Sequence, residues 1–359
     1  MIYKVSHLII KMIKKIENGI LRVSTNLKVY ESKDNNWVLS KKTLPETLSV
    51  VNLFKSNNRL KEIIDTKNKK FLKGQLSKQG QVQGARIKIL PTGEKLDKTF
   101  SIFAKNLTFH DESSHDHWDV IYQNPNGKFA YCYTLEKKSK AQKSKYRKVS
   151  DFEKIYKKLE KKARYALKDK EDIYAVPMYT LLKTYMRVGN ELNYNQTGHK
   201  GLTTLKKEDI SILNNKVTFN YISKSGVPME ISREFPNDYI KRLKDNIKNK
   251  KNSDFVFEKN NKPMKDTDFM NTFEDYCGQR FYPHIVRSYY ATKKAKEFLQ
   301  KHNKAEKRQI KSLFLEIAEQ LGHKRFDKKN NEWKDSYTIT IHHYIQPDLV
   351  EKIEKLSGN

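Results

Sequence analysis

The sequence predicts an α+β protein, with a small β-rich N-terminal domain followed by a larger, mainly α-helical domain that carries one β-hairpin. Three observations support this. Up to about residue 135 the chain runs in short extended pieces broken by turn residues. From Lys137 to Lys170 it is glycine-free and basic residues far outnumber acidic ones, as in a linker entering a charged helix. Beyond that, apolar residues return at helical spacing.

The early extended pieces are Leu21-Arg-Val-Ser-Thr, Leu27-Lys-Val-Tyr, Arg86-Ile-Lys-Ile-Leu and Phe129-Ala-Tyr-Cys-Tyr-Thr, with Asp34-Asn-Asn, Pro91-Thr-Gly and Asn124-Pro-Asn-Gly as breaks. The apolar run at residues 8 to 13 reads as a short helix or strand; lysine interrupts it and no small-residue cleavage site follows, which argues against a signal peptide. Ile155 and Leu159, then Ala175, Met178, Leu181, Leu182 and Tyr185, mark helices. Between Val217 and Ile231 the pattern alternates around Lys224-Ser-Gly226, which predicts a hairpin turning there. Helices resume over Tyr239–Ile247, Met270–Tyr276, His284–Phe298 and Gln309–Leu321, and Gly322 stops the last. The expected division is an N-terminal extension over 1–70, a β-rich domain over 71–145 and a helical domain over 146–359.

The 359 residues include 72 Lys and Arg against 42 Asp and Glu, a formal charge of +30. A polyanion relieves such self-repulsion, and nucleic acid is the expected partner, although lysine-rich codon usage contributes. Cys132 and Cys277 lie far apart with no CxxC or Cys/His cluster, which argues against a disulfide framework or zinc site. No stretch is apolar for long enough to span a bilayer. The sequence also lacks a GxxxxGK[ST] loop, an HExxH motif and an obvious carboxylate cluster for magnesium.

Chemistry on DNA would therefore rest on side-chain cations, a proton donor and a nucleophile, with no metal and no ATP. Such groups occur in order. Arg187 sits at a helix end, where Gly189 lets the chain turn; Lys224 occupies the hairpin tip; Arg287 lies in Pro283-His-Ile-Val-Arg-Ser-Tyr-Tyr, His323 in Leu321-Gly-His and Tyr344 in Tyr344-Ile-Gln-Pro. Taken singly, each suits a solvated arginine, an ordinary turn or a helix cap; their joint order and spacing carry the specificity.

Arg187-Val-Gly-Asn-Glu, followed by Gly201-Leu-Thr-Thr-Leu, closely resembles the first catalytic box of type IB DNA topoisomerases of the poxvirus, giant-virus and bacterial kind. Lys224, Arg287, Leu321-Gly-His323 and Tyr344-Ile-Gln-Pro match the remaining boxes, so the resemblance covers about residue 120 to the end. It implies a C-shaped clamp around duplex DNA and a monomer acting where DNA is: virion or viral factory, nucleoid or nucleus. It further implies that Tyr344 attacks the scissile phosphate, that Lys224 with Arg187 protonates the leaving 5′ oxygen, and that Arg187, Arg287 and His323 hold the non-bridging oxygens. Lys128, Tyr131 and Tyr133 resemble the family's major-groove contacts, and Tyr194 a further DNA-contacting tyrosine. The alternation in Phe129-Ala-Tyr-Cys-Tyr equally fits a strand with a buried aromatic face.

Three features depart from this family. Residues 1 to about 70 precede anything that resembles its β domain and carry no interpretable motif, so they read as an added DNA-binding surface or a partner contact. His284 in a His-x-x-Arg box looks more like tyrosine recombinases, and is either an additional active-site group or a buried structural histidine. The long charged segment between His323 and Tyr344 holds Tyr337, an alternative nucleophile. The competing functions are a tyrosine recombinase, which shares the transesterification, and a non-catalytic basic DNA-binding protein, which the five catalytic residue types argue against.

Overall fold

A computed structural model describes residues 16–84, 86–110 and 117–358; the apolar run at 8 to 13 lies outside the described residues. It is a mixed α/β protein that divides into two compact units between Lys143 and Ser144. Among the described residues, no helix is long and apolar enough to cross a membrane.

In the first unit, β1 (Leu21–Val23), β2 (Val29–Lys33) and β3 (Asn36–Leu39) form a meander followed by helix α1 (Pro45–Ser56). Two short strands, β4 (Gln75–Leu76) and β5 (Val82–Gln83), complete a five-stranded sheet in the order β3-β2-β1-β4-β5. A β-ribbon of β6 (Ile87–Ile89) and β7 (Lys95–Phe100) precedes a three-stranded sheet of β8 (Lys105–Phe109), β9 (Val120–Gln123) and β10 (Phe129–Cys132), with β9 central. Val51, Phe54, Ile63 and Leu72 share one buried core with Ile87, Leu96, Val120 and Cys132, so residues on both sides of position 70 stabilise the same unit. Burying such side chains contributes about 1.5–3 kcal/mol each relative to exposure.

Helix α2 (Leu135–Ala166) is one unbroken helix where the sequence suggested a linker running into a helix. With no glycine or proline to stop it, its stripe Tyr146, Val149, Phe152, Tyr156, Leu159 and Ala163 buries one face, and the lysines occupy the other. In the second unit this stripe packs with α3 (Ala175–Thr184), α5 (Asn237–Ile247), α6 (Asp266–Cys277) and α7 (Ile285–Lys301) in one large core. The short α4 (Glu191–Thr197) follows α3, capped by the Asn190 side chain, which accepts from Asn193 N–H at 2.9 Å. A three-stranded antiparallel sheet, β11 (Ile210–Leu213), β12 (Lys216–Ser223) and β13 (Val227–Glu234), has β12 at its centre and pairs Ser223 with Val227 across the turn. A small ribbon of β14 (Glu258–Lys259) and β15 (Lys262–Pro263) precedes α6.

Helices α8 (Lys307–Gln320), α9 (Thr338–His343) and α10 (Pro347–Lys355) form a second apolar cluster with α7, through Ala291, Ile310, Phe314, Ile317, Ile345 and Ile353. The charged segment between His323 and Tyr344 contains a hairpin, β16 (Lys324–Asp327) with β17 (Glu332–Asp335), whose base is closed by Ser336 N–H donating to the His323 carbonyl at 3.3 Å.

Candidate active site

Arg187 leaves α3 in an extended segment. The turn before it is made by Tyr185, a left-handed residue at φ 57°, and not by Gly189, whose φ is not positive. Gly189 is needed for space. A side-chain carbon there would lie 2.5 Å from the Thr204 hydroxyl oxygen and 2.8 Å from its backbone nitrogen. Gly201 has the same constraint from the other side, with the Arg187 carbonyl at 2.7 Å. The two segments dock backbone to backbone, and Leu202 N–H donates to the Arg187 carbonyl at 2.8 Å. The paired motifs of the sequence are therefore one structural device that holds the backbone of Arg187 while its side chain stays partly accessible.

Arg287, in the first turn of α7, is 2 % exposed. Its guanidinium donates to the Tyr185 carbonyl at 2.7 Å and the Leu321 carbonyl at 2.6 Å, which fixes its plane. Its Nη2 lies 3.4 Å from His323 Nε2, and its Nε has no partner among the described residues. The Ser223 hydroxyl is likewise buried and without a partner among the described residues, and both residues line a small cleft with Arg187, Lys200 and Tyr221. Donors left without acceptors beside two arginines suit an anionic ligand.

His323 follows α8 after Gly322, whose left-handed φ of 65° strains any other residue and where an added side-chain carbon would meet Met229 Sδ at 2.3 Å. Its Nδ1 lies 2.8 Å from the buried Thr340 hydroxyl of α9. Tyr344 sits at the end of α9, 5 % exposed. Its hydroxyl accepts from Arg187 Nη2 at 3.3 Å. Its ring centre lies 4.6 Å from that of His323, 5.2 Å from that of His284, 5.4 Å from the Arg287 guanidinium carbon and 5.6 Å from Lys145 Nζ. The structure thus brings Arg187, Arg287, His323, His284 and Tyr344 into one cluster. Lys224 is exposed at the β12–β13 turn, near enough for its charge to act on His284.

The electrostatics follow from this crowding of cations. Burial drives His323 down to about 2, with the Arg287 and Arg187 charges adding to it. Burial and the same arginines take His284 down to about 3, so both imidazoles are neutral at pH 7. Arg287 falls to about 10 through burial and its repulsion by Arg187. Burial alone would raise the Tyr344 phenol, but the Arg287 and Arg187 charges and hydrogen bonds outweigh it and hold the phenol below its ordinary value.

Several residues of this cluster escape sequence reasoning. Lys145 of α2 donates to the His343 carbonyl, and the neighbouring Tyr146 hydroxyl donates to the Ile345 carbonyl at 2.6 Å. The Thr292 hydroxyl donates to the Tyr344 carbonyl at 3.4 Å. Three successive carbonyls, those of 343, 344 and 345, are therefore held from other helices. Lys145 leaves one signal in the sequence: it stands four and seven residues before the buried Val149 and Phe152, a cation in phase with an apolar stripe.

Tyr337 lies elsewhere, at the start of α9 with its ring 5.8 Å from Phe314. Tyr194 packs edge-on against Phe255 at 5.5 Å, with Lys206 Nζ 5.3 Å above its ring. In the first unit, Phe129 and Tyr131 are exposed at 49 % and 36 %, while Cys132 between Tyr131 and Tyr133 is buried. The aromatic face of β10 is thus turned outward and is not the buried face. Lys128 is exposed at the turn before it. No group of three or more His, Cys, Asp or Glu side chains able to hold a metal ion occurs among the described residues.

No curated protein matches the chain. The family described as eukaryotic DNA topoisomerase I, catalytic core, does match it, over residues 134–347. The chain belongs to this topoisomerase I family. The match begins just before α2 and ends just after Tyr344, so it takes in the whole cluster around that tyrosine and the Lys224 turn. Membership of the topoisomerase I family supports an isomerase that binds DNA and acts on it.

Proposed function

We propose that this protein is a type IB topoisomerase of the poxvirus, giant-virus and bacterial kind, which relaxes supercoiled DNA by nicking and resealing one strand through Tyr344. The observation that carries this reading is the Tyr344 hydroxyl on Arg187, with Arg287 and His323 packed around its ring. Tyr344 Oη bonds to the scissile phosphorus as the bond from phosphorus to the 5′ oxygen breaks. The phenol proton leaves to solvent, and the Lys224 ammonium, assisted by Arg187, gives a proton to the departing oxygen. The charge that develops on the non-bridging oxygens falls among Arg187, Arg287 and a neutral His323 acting through N–H. The 3′-phosphotyrosyl bond conserves the energy of the broken ester, so resealing needs no ATP, and the side-chain cations perform the work without a metal.

Tyr344 is preferred to Tyr337 as nucleophile because only Tyr344 has an arginine on its hydroxyl and a second over its ring among the contacts described. Lys128, Tyr131, Tyr133 and Tyr194 are proposed DNA contacts, with the first unit and the catalytic unit closing on the duplex as a clamp and the protein acting as a monomer. A second reading, a tyrosine recombinase, is favoured by one observation, the His284 ring 5.2 Å from that of Tyr344. Incubating the protein with supercoiled plasmid in EDTA without ATP separates the two. Relaxation by a monomer supports the topoisomerase; joining of two duplexes without relaxation supports the recombinase.

A further inference from the structure

The hairpin between His323 and Tyr344 has no part in the chemistry described so far. Its base is fixed at His323 through Ser336, and its strands are tied by Lys334 to Asp327 at 2.7 Å and by Asn330 to Asp327 at 3.1 Å. Phe326 and Trp333 face each other across it, edge to face at 5.2 Å. Phe326 is exposed at 41 %, whereas Trp333 is half-buried and packs against the core of the catalytic unit.

Trp333 ends beside the turn that bears Lys224. A first side-chain carbon at Gly226 would lie 3.8 Å from Trp333 Cζ2 and 3.7 Å from His199 Nε2, so indole and imidazole stand beside the turn with room for no more than a methyl group between them and Gly226. The turn needs such support. Ser225 and Gly226 both have left-handed backbones, at φ 67° and 79°, and a non-glycine residue there persists only where its surroundings hold it. Lys224 itself is exposed on a flexible side chain, so the direction in which its ammonium points depends on the backbone beneath it.

We propose that Trp333 is a positioning residue for Lys224, and that the hairpin after His323 buttresses the turn from which Lys224 delivers its proton to the leaving oxygen. This rests on the reading of Lys224 as proton donor. One segment of chain is then anchored at His323 and reaches the proton donor, so two parts of the site share one support. His199 flanks the same turn from the segment between α4 and Leu202.

The test compares single-turnover cleavage by the full chain on two duplexes, one with the natural 5′ oxygen as leaving atom and one with a bridging 5′ sulfur. A thiolate departs without protonation, so sulfur removes the need for the donor. Trp333→Ala is expected to slow cleavage of the oxygen duplex about 10- to 100-fold, part of the effect of a general acid, and to cleave the sulfur duplex at the wild-type rate. Trp333→Phe, which keeps a ring against the turn and guards against misfolding, is expected to restore most of the oxygen rate. Lys224→Ala run in parallel tests the underlying reading. If sulfur rescues Lys224→Ala but not Trp333→Ala, or if Trp333→Ala does not slow the oxygen duplex, the positioning role is overturned while Lys224 keeps its own. If sulfur fails to rescue Lys224→Ala, Lys224 is not the donor and both fall.

Discussion

Replacing Arg187 by alanine separates chemistry from docking. Arg187 donates to the Tyr344 hydroxyl at 3.3 Å, and its charge is one of the two that hold the phenol below its ordinary value. Its side chain is also free to reach a phosphate oxygen. Removing one preorganised donor of this kind costs about 10²–10³ in rate, or about 2.7–4 kcal/mol of transition-state stabilisation. The phenol also moves up once that charge is gone, so the loss should sit at the upper end. Binding should change much less, because Arg187 is one cation among many on a strongly basic chain. Losing one phosphate contact lowers the slope of log affinity against log salt by about 0.9. The assay is single-turnover formation of a covalent protein–DNA adduct on a nicked duplex, with affinity measured on the same duplex at several salt concentrations. If adduct formation and affinity fall by the same factor, Arg187 is a docking residue and the chemistry assigned to it is wrong.

Three further outcomes are expected. Tyr344→Phe should yield no adduct and Tyr337→Phe should leave it intact, seen on a denaturing gel; an adduct surviving in Tyr344→Phe would transfer the role to Tyr337. Both histidines are depressed in the fold, so they are neutral in the folded chain and charge in the unfolded one as pH falls below about 6.5. Stability should then drop by about 1.4 kcal/mol per pH unit for each histidine. Denaturant midpoints between pH 7.5 and 5 measure this, and a slope unchanged in His284→Gln and His323→Asn would refute it. Gly189→Ala should destabilise by about 1–3 kcal/mol, because the new carbon meets the backbone of Thr204 as well as its hydroxyl; an unchanged melting temperature would show that the two segments part easily.

Much of the catalytic unit was legible because its signals are local. Periodicity gave α5 to α8 to within a few residues, and alternation around Lys224-Ser-Gly226 gave the β12–β13 hairpin. Gly322 ends α8 in the left-handed conformation, as its position suggested. Gly189 was visible but misread. Its role is a close approach by Thr204, a residue of the second motif, and no spacing rule states that two motifs touch. Lys145 was hidden among the many lysines of α2, since its importance arises from a carbonyl at the far end of the sequence. The outward face of β10 was undecided because an aromatic alternation suits burial and recognition alike; Cys132, the small residue between two tyrosines, is the one that turned inward.

Those grips on the carbonyls of 343, 344 and 345 have a consequence for how the nucleophile is held. Every amino acid brings a carbonyl, so what Lys145, Tyr146 and Thr292 hold is independent of the side chains next to the tyrosine. The hold on this segment is shared between its backbone and the Ile345 side chain, which is fully buried in the cluster of α7, α8 and α10. The nucleophile's backbone is therefore positioned in part from α2, some two hundred residues upstream.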